Sequence, residues 1–134
     1  MKRTTYFFIA ALALLLASCT AQSRLSSRLS GEWAIEKFES RTAAGSSSSI
    51  ENAGSITFRS GGRGSQAFTT AIAHGGDAAS TEFRWDNTAN TVSIRSEGAE
   101  FPKVWIIVDS GRSKMRWFST DSQGNVQVME LRKK

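Results

Sequence analysis

The chain has 134 residues, 17 Lys and Arg against 12 Asp and Glu for a net charge of +5, 40% apolar residues, four Trp, eight Phe, and one each of Cys, Pro and His. That length fits one domain, and the apolar and aromatic content suits a chain that buries a core rather than one that stays disordered. A single Cys excludes an internal disulfide, a four-Cys zinc site and a C-x-x-C redox pair.

In chain order, Met1, Lys2 and Arg3 give a basic start, Tyr6 to Leu16 is an apolar run of 11 residues, and Ala17 and Ser18 are small. This is the layout of a secretory signal peptide. The run is too short to span a bilayer, which needs about 20 apolar residues. Leu16-Ala17-Ser18-Cys19 resembles the lipobox of bacterial lipoproteins. The resemblance implies cleavage before Cys19, acylation of its thiol with palmitate-type chains, and a membrane anchor firmer than one acyl chain provides. Thr20 to Ser23 carry no acidic side chain. For such lipoproteins this implies the outer membrane, facing the periplasm.

Residues 1–18 are thus expected as a lipoprotein signal peptide, 19–28 as the lipidated Cys and a flexible Ser-rich tether, and 29–134 as one domain. No segment of the domain shows a sustained 3.6-residue period, and helix is expected only as a turn near Arg24 to Ser30. Period-two alternation predicts eight antiparallel strands: Trp33 to Phe38, Ser55 to Arg59, Gln66 to Ala73, Thr81 to Asp86, Thr91 to Ser96, Lys103 to Asp109, Lys114 to Ser119 and Asn125 to Leu131. Segments such as Ser60-Gly61-Gly62, Asp86 to Asn90 and Asp121 to Gly124 supply turn residues between them. Trp33 and Ile35, Ile56 and Phe58, Phe68 and Ile72, Phe83 and Trp85, Val92 and Ile94, and Met115 and Trp117 fall on one face of their strands, with polar residues on the other. Val104 to Val108 is apolar on both faces. Either the Ser-rich loop Thr42 to Ser49 or a partner covers its outer side, or Trp105 and Ile107 form an exposed patch.

The tether, Gly31-Glu32-Trp33 at the first strand and eight short strands resemble the calycin group of up-and-down barrels. The resemblance implies that Trp33 plugs the closed end, with a basic residue of the last strand, Arg132 or else Lys133, packed over it. Gly54-Ser55-Ile56-Thr57-Phe58, Phe83-Arg84-Trp85, Trp105-Ile106-Ile107 and Leu131-Arg132-Lys133 are similar in order to the short lipocalin-like domains of Bacteroidetes lipoproteins. The polar insert Thr42 to Gly54 departs from that pattern. The fold expectation is therefore an all-β, eight-stranded, up-and-down lipocalin-like barrel.

No catalytic constellation can be assembled. His74 and Asp77 have no second imidazole or nucleophile beside them, Gly61 to Ser65 is followed by a strand pattern rather than a helix, and Glu97 and Glu100 flank a glycine in a polar loop. The chain reads as non-enzymatic, without metal or cofactor. Large inward residues predict a mostly filled barrel, with Trp33, Phe58, Phe68, Trp85 and Trp117 as the candidate contacts for a small apolar or amphipathic ligand at the mouth. The alternative is an envelope module that docks on a protein partner through Trp105, Ile107 and Phe118. Removing Lys2 and Arg3 lowers the charge from +5 to +3, and setting aside Arg24, Arg28, Arg132, Lys133 and Lys134 leaves −2 for the body. No basic run or basic helix points to nucleic acid.

Overall fold

The computed structural model describes residues 2–69 and 80–134, and within these ranges the side chains of 6–14 and of residues from 20 onward. Helix α1 (Lys2–Leu29) precedes eight strands: β1 (Gly31–Arg41), β2 (Ser47–Arg59), β3 (Arg63–Phe68), β4 (Thr81–Asn87), β5 (Thr91–Ser96), β6 (Lys103–Ser110), β7 (Lys114–Thr120) and β8 (Val126–Lys133). Each strand pairs antiparallel with the next, and β8 returns to β1. The result is the expected closed all-β barrel. Closure leaves no strand edge open, which lets strands as short as six residues persist. His74, Asp77, Ile72 and the end of the third expected strand lie outside the described residues.

The alternating strands set up two ends. The turns after β2, β4 and β6 and the end of β8 lie at one end with the start of β1, while the turns after β1, β5 and β7 lie at the other. The first is closed by α1, and here the structure departs from expectation. The stretch read as a flexible tether is the last part of a 28-residue helix. Leu25 and Leu29, four positions apart and so on one helical face, are 3% and 0% exposed. Gln22 Nε2 donates to the Asn87 carbonyl at 2.8 Å, and Asn87 Nδ2 donates back to the Gln22 carbonyl at 3.0 Å. Arg28 Nη1 reaches the Ser110 carbonyl at 3.0 Å. Each buried leucine contributes about 1.5–3 kcal/mol, which adds to the helix's own hydrogen bonds against the entropy, about 1–2 kcal/mol per residue, that favours a loose tether. The first part of α1 leaves Tyr6, Phe7, Phe8, Ile9, Leu12 and Leu14 exposed. Among the described residues, no helix is long and apolar enough to cross a membrane.

The polar insert is also not a covering loop. Most of it extends β2 against β1, from Arg41 opposite Ser47 to Lys37 opposite Glu51, with a register shift between Ile35 and Lys37. Gly54, just past the shift, has φ of 145°, and a Cβ there would lie 2.0 Å from the Ala67 carbonyl oxygen. Only glycine allows β2 and β3 to approach so closely at this point.

The inward residues follow the period-two reading, with Trp33, Ile35, Ile56, Phe58, Phe83, Trp85, Val92, Ile94, Met115 and Trp117 all buried. The ambiguous strand β6 resolves the other way round. Trp105 and Ile107 are buried, while Val104, Ile106 and Val108 are 47%, 48% and 65% exposed. A two-sided apolar strand carries no internal signal of its facing. The register decides it, with Trp105 opposite Val92 and Ile107 opposite Trp117, both core residues.

Candidate binding site at the open end

Four of the five side chains expected to hold a ligand instead fill the barrel. Trp33 sits at the closed end, its Nε1 donating to the Leu29 carbonyl at 2.9 Å. The ring centroid of Phe58 lies 5.1 Å from that of Trp85 and 5.7 Å from that of Trp117. Such pairs contribute about 0.5–1.5 kcal/mol each beyond the area they bury. Trp85 Nε1 donates to the carbonyls of Arg59 and Arg63 at 3.1 and 2.9 Å, which ties the barrel wall to the β2–β3 turn. These residues make a solid floor.

The basic residue over Trp33 is Lys133, not Arg132. The Lys133 ammonium lies 4.8 Å from the Trp33 ring centroid and donates to the carbonyls of Arg28 and Ser30. Loss of water around it pulls its pKa below the usual lysine value. Arg132 faces outward and pairs with Glu36 at 2.5 Å. The alternation of β8 separates the two: Leu131 points into the core, Arg132 away from it, and Lys133, the last residue of the strand and opposite Trp33, returns to the inner side, where it folds over the plug.

Phe68 is the one expected ligand contact that reaches the open end. It meets Phe38 edge to face, with centroids 6.1 Å apart. These two with Ile94, Trp105 and Met129 enclose a cavity of about 180 Å³ at the mouth, completed by Gln66, Ser96, Lys103 and Gln127. Lys103 and Gln127 also border a second cavity of about 420 Å³, which opens between β6 and β7 and is polar at Ser119, Thr120, Asp121 and Asn125. This cleft exists because the β6–β7 ladder stops at Ile106 opposite Phe118. Above it, Ser119 Oγ donates to the Val104 carbonyl at 2.8 Å.

Lys103 stands at the junction of the two cavities, its ammonium 4.8 Å from the centroid of the Trp105 ring. Burial around the ammonium lowers its pKa, and the Asp121 carboxylate opposes that shift. Asp121 accepts from Asn125 Nδ2 at 2.8 Å and from the backbone of Asn125 and Gln123 at 3.0 and 2.8 Å. Those bonds, those of Asn125 foremost, hold its carboxyl below the ordinary range. Gln127 Oε1 is buried with no hydrogen-bond partner among the described residues. A buried acceptor without a donor costs about 1–3 kcal/mol, a cost that a bound donor group removes.

Sequence reasoning missed Lys103, Trp105 and Gln127 because it placed Trp105 outside. The alternation Lys103, Trp105, Ile107 was the available signal, and only the pairing with β5 and β7 fixes its direction. Among the described residues, no group of three or more His, Cys, Asp or Glu is placed to hold a metal ion.

No family model and no curated protein matches the chain. Solved structures do. A lipocalin-like protein from Bacteroides uniformis superposes with a TM-score of 0.55 at 16% identity, covering 80% of this chain and 99% of its own. A redesigned β-barrel matches with a TM-score of 0.51 at 15% identity, over 83% of this chain and 96% of its own. An uncharacterized protein from Bacteroides eggerthii gives 0.51 at 11% identity, over 76% and 98%. At these identities the likeness establishes the fold, a lipocalin-like barrel.

Proposed function

We propose that this barrel is a lipid-anchored binding protein of the bacterial cell envelope that holds a small amphipathic molecule at its open end. The observation that carries the reading is a pair of cavities that share Lys103 and Gln127 in their walls. One is mostly apolar and about 180 Å³, the other mixed and about 420 Å³, with Phe101, Pro102 and Val104 beside its polar groups, and Lys103 and Gln127, whose Oε1 is unpartnered among the described residues, border both. The apolar part is smaller than the roughly 300–1,000 Å³ of drug-sized ligand pockets. It is comparable with an engineered cavity of about 150 Å³ that takes benzene. The occupant is thus a ring or short alkyl group carrying a polar head, rather than a long acyl chain.

The basic start, the apolar run and Cys19 support the anchor, with outer-membrane placement as the default. The segment Thr20 to Leu29 is helical and spans about 15 Å at 1.5 Å per residue. Gln22, Leu25 and Leu29 of this helix pack on the closed end, so an anchor at Cys19 would set the closed end toward the lipid and the mouth away from it.

The test is displacement of a short-chain fluorescent amphiphile, read together with Trp emission and native mass spectrometry of protein taken from its own membrane. Saturable binding that Trp105→Ala weakens supports the reading. A ligand-free spectrum with no probe binding refutes it. Cys19→Ala tests the anchor separately: release of a soluble protein, or accumulation of unprocessed precursor, is expected.

A second reading rests on a different surface. Val104, Ile106 and Val108 are exposed in a row on β6, and Phe118 lies opposite Ile106. A docking module would use this strip against an envelope protein. Ile106→Glu should then abolish association and leave probe binding at the mouth intact.

A further inference from the structure

Strand pairing produces a feature that no stretch of sequence displays. Arg59 lies directly opposite Arg63, Arg63 opposite Arg84, and Arg84 opposite Arg95, so four arginines form one cross-strand row over β2, β3, β4 and β5. All four are exposed, on the outer face. Like charges placed directly opposite one another destabilise a sheet, and neighbouring strands are only about 4.8 Å apart. Among the described residues, a carboxylate compensates just one end of the row, where Arg59 pairs with Glu82 at 2.6 Å. Arg95 Nε donates to the Ala99 carbonyl at 3.1 Å, a neutral partner. Among the described residues, the side chains of Arg63 and Arg84 have neither an ion pair nor a hydrogen bond.

Arg63, Arg84 and Arg95 line a groove of about 760 Å³ on this wall, large enough for a small molecule. Phe83 contributes to it, and Ser96 to Glu100 form its upper border. Glu97 and Glu100 carry negative charge on that border, and Glu82 is already held by Arg59. The carboxylates therefore limit how far an anionic ligand extends toward the open end, and leave the arginine row as the place where negative charge is favoured. Guanidinium groups match phosphate and carboxylate oxygens two at a time. Three of them in a row, spanning about 10 Å at the strand spacing, suit several such groups better than one.

We propose that this groove binds a compact polyanion, a molecule with two or three phosphate or carboxylate groups spaced about 5 Å apart, on Arg63, Arg84 and Arg95. The site is on the outer wall and does not depend on whether the mouth holds a ligand.

Full-length protein in a neutral detergent is titrated calorimetrically at physiological salt with tripolyphosphate, with the tricarboxylate tricarballylate, and with inorganic phosphate. At least one of the two polyanions should bind about tenfold or more tightly than inorganic phosphate, and the preferred one identifies the ligand as phosphate or carboxylate. Arg84→Gln and Arg63→Gln should each weaken that binding about tenfold. Arg112→Gln, in the turn between β6 and β7, should leave it unchanged. Thermal melts provide a second readout, in which the polyanion stabilises the wild type and not Arg84→Gln. The proposal is overturned if neither polyanion binds more tightly than inorganic phosphate, or if both groove variants bind like wild type.

Discussion

Replacing Leu29 by Ala distinguishes a structural plug from a tether. Leu29 is fully buried at the base of the barrel, its carbonyl accepts from Trp33 Nε1 at 2.9 Å, and Leu25 is buried on the same helical face. Truncating a leucine in such a site removes the transfer energy of its lost carbons and leaves a cavity that rigid neighbours such as the Trp33 ring fill poorly. About 3 kcal/mol is the expected cost, within the range of about 2–5 seen for such changes. For a domain of roughly 100 residues each kcal/mol lowers the melting temperature by about 4–8 °C, giving a drop of about 12–24 °C. The assay is thermal and urea unfolding of the full-length chain in detergent, followed by far-ultraviolet circular dichroism and tryptophan emission. Ser27→Ala, at an exposed position of the same helix, serves as the control and should change stability by less than about 0.5 kcal/mol. Equal stability of Leu29→Ala and Ser27→Ala would mean that the helix is not part of the folded unit, and the account of the closed end would fall.

Gly54→Ala should destabilise by about 3 kcal/mol or more, because its Cβ would collide with the Ala67 carbonyl. Gly45→Ala, with φ of 93° and nothing within 4 Å of the new Cβ, should cost only the left-handed penalty of about 1–2 kcal/mol; similar losses in urea titrations would contradict the close-approach argument. A double-mutant cycle of Lys133→Met with Trp33→Phe should return a coupling of about 0.5–2 kcal/mol, whereas Arg132→Met with Trp33→Phe should return none. Lys103 has a folded-state pKa below 10.5, so between that lowered value and 10.5 the unfolded chain holds a proton the folded chain has released, and stability rises with pH across the window. Urea midpoints at pH 7.5 and 10.5 should accordingly shift upward in wild type relative to Lys103→Met, and a downward relative shift would reverse the assignment. Asp121 has the same sign in acid: its carboxyl is held below 3.8, so its contribution is present above that value and is lost as acid protonates it, a change that Asp121→Asn should remove from acid unfolding curves.

Much of the fold was legible because period two is a local property. Residues such as Ile56 and Phe58, or Met115 and Trp117, declare their shared face within three positions, and the glycine and Asx turns mark where each strand stops. The eight-strand count followed from that alone. Local patterns failed where the deciding neighbour is distant in sequence. Trp105 and Ile107 face inward because of Val92 and Trp117. Leu25 and Leu29 are helical and buried because the barrel floor offers them an apolar surface, although the Ser-rich stretch around them reads as a linker.

The site divides in the same way. The sequence by itself determined the inward set of the alternating strands, the strand number, and the basic start, apolar run and single Cys on which the anchor proposal rests, since each is written in consecutive residues. Closure of the barrel decided which large side chains became floor and which became mouth: Trp85 and Trp117 both pack against Phe58, edge-on and tilted, while Phe68 and Trp105 are left to line a cavity. Closure also brought Lys103 beside Gln127, and the register of neighbouring strands set Arg59, Arg63, Arg84 and Arg95 side by side. A strand's sequence specifies what alternates along it, but the hydrogen-bonded register specifies what lies across from it. Both proposed binding surfaces are made of such cross-strand neighbours.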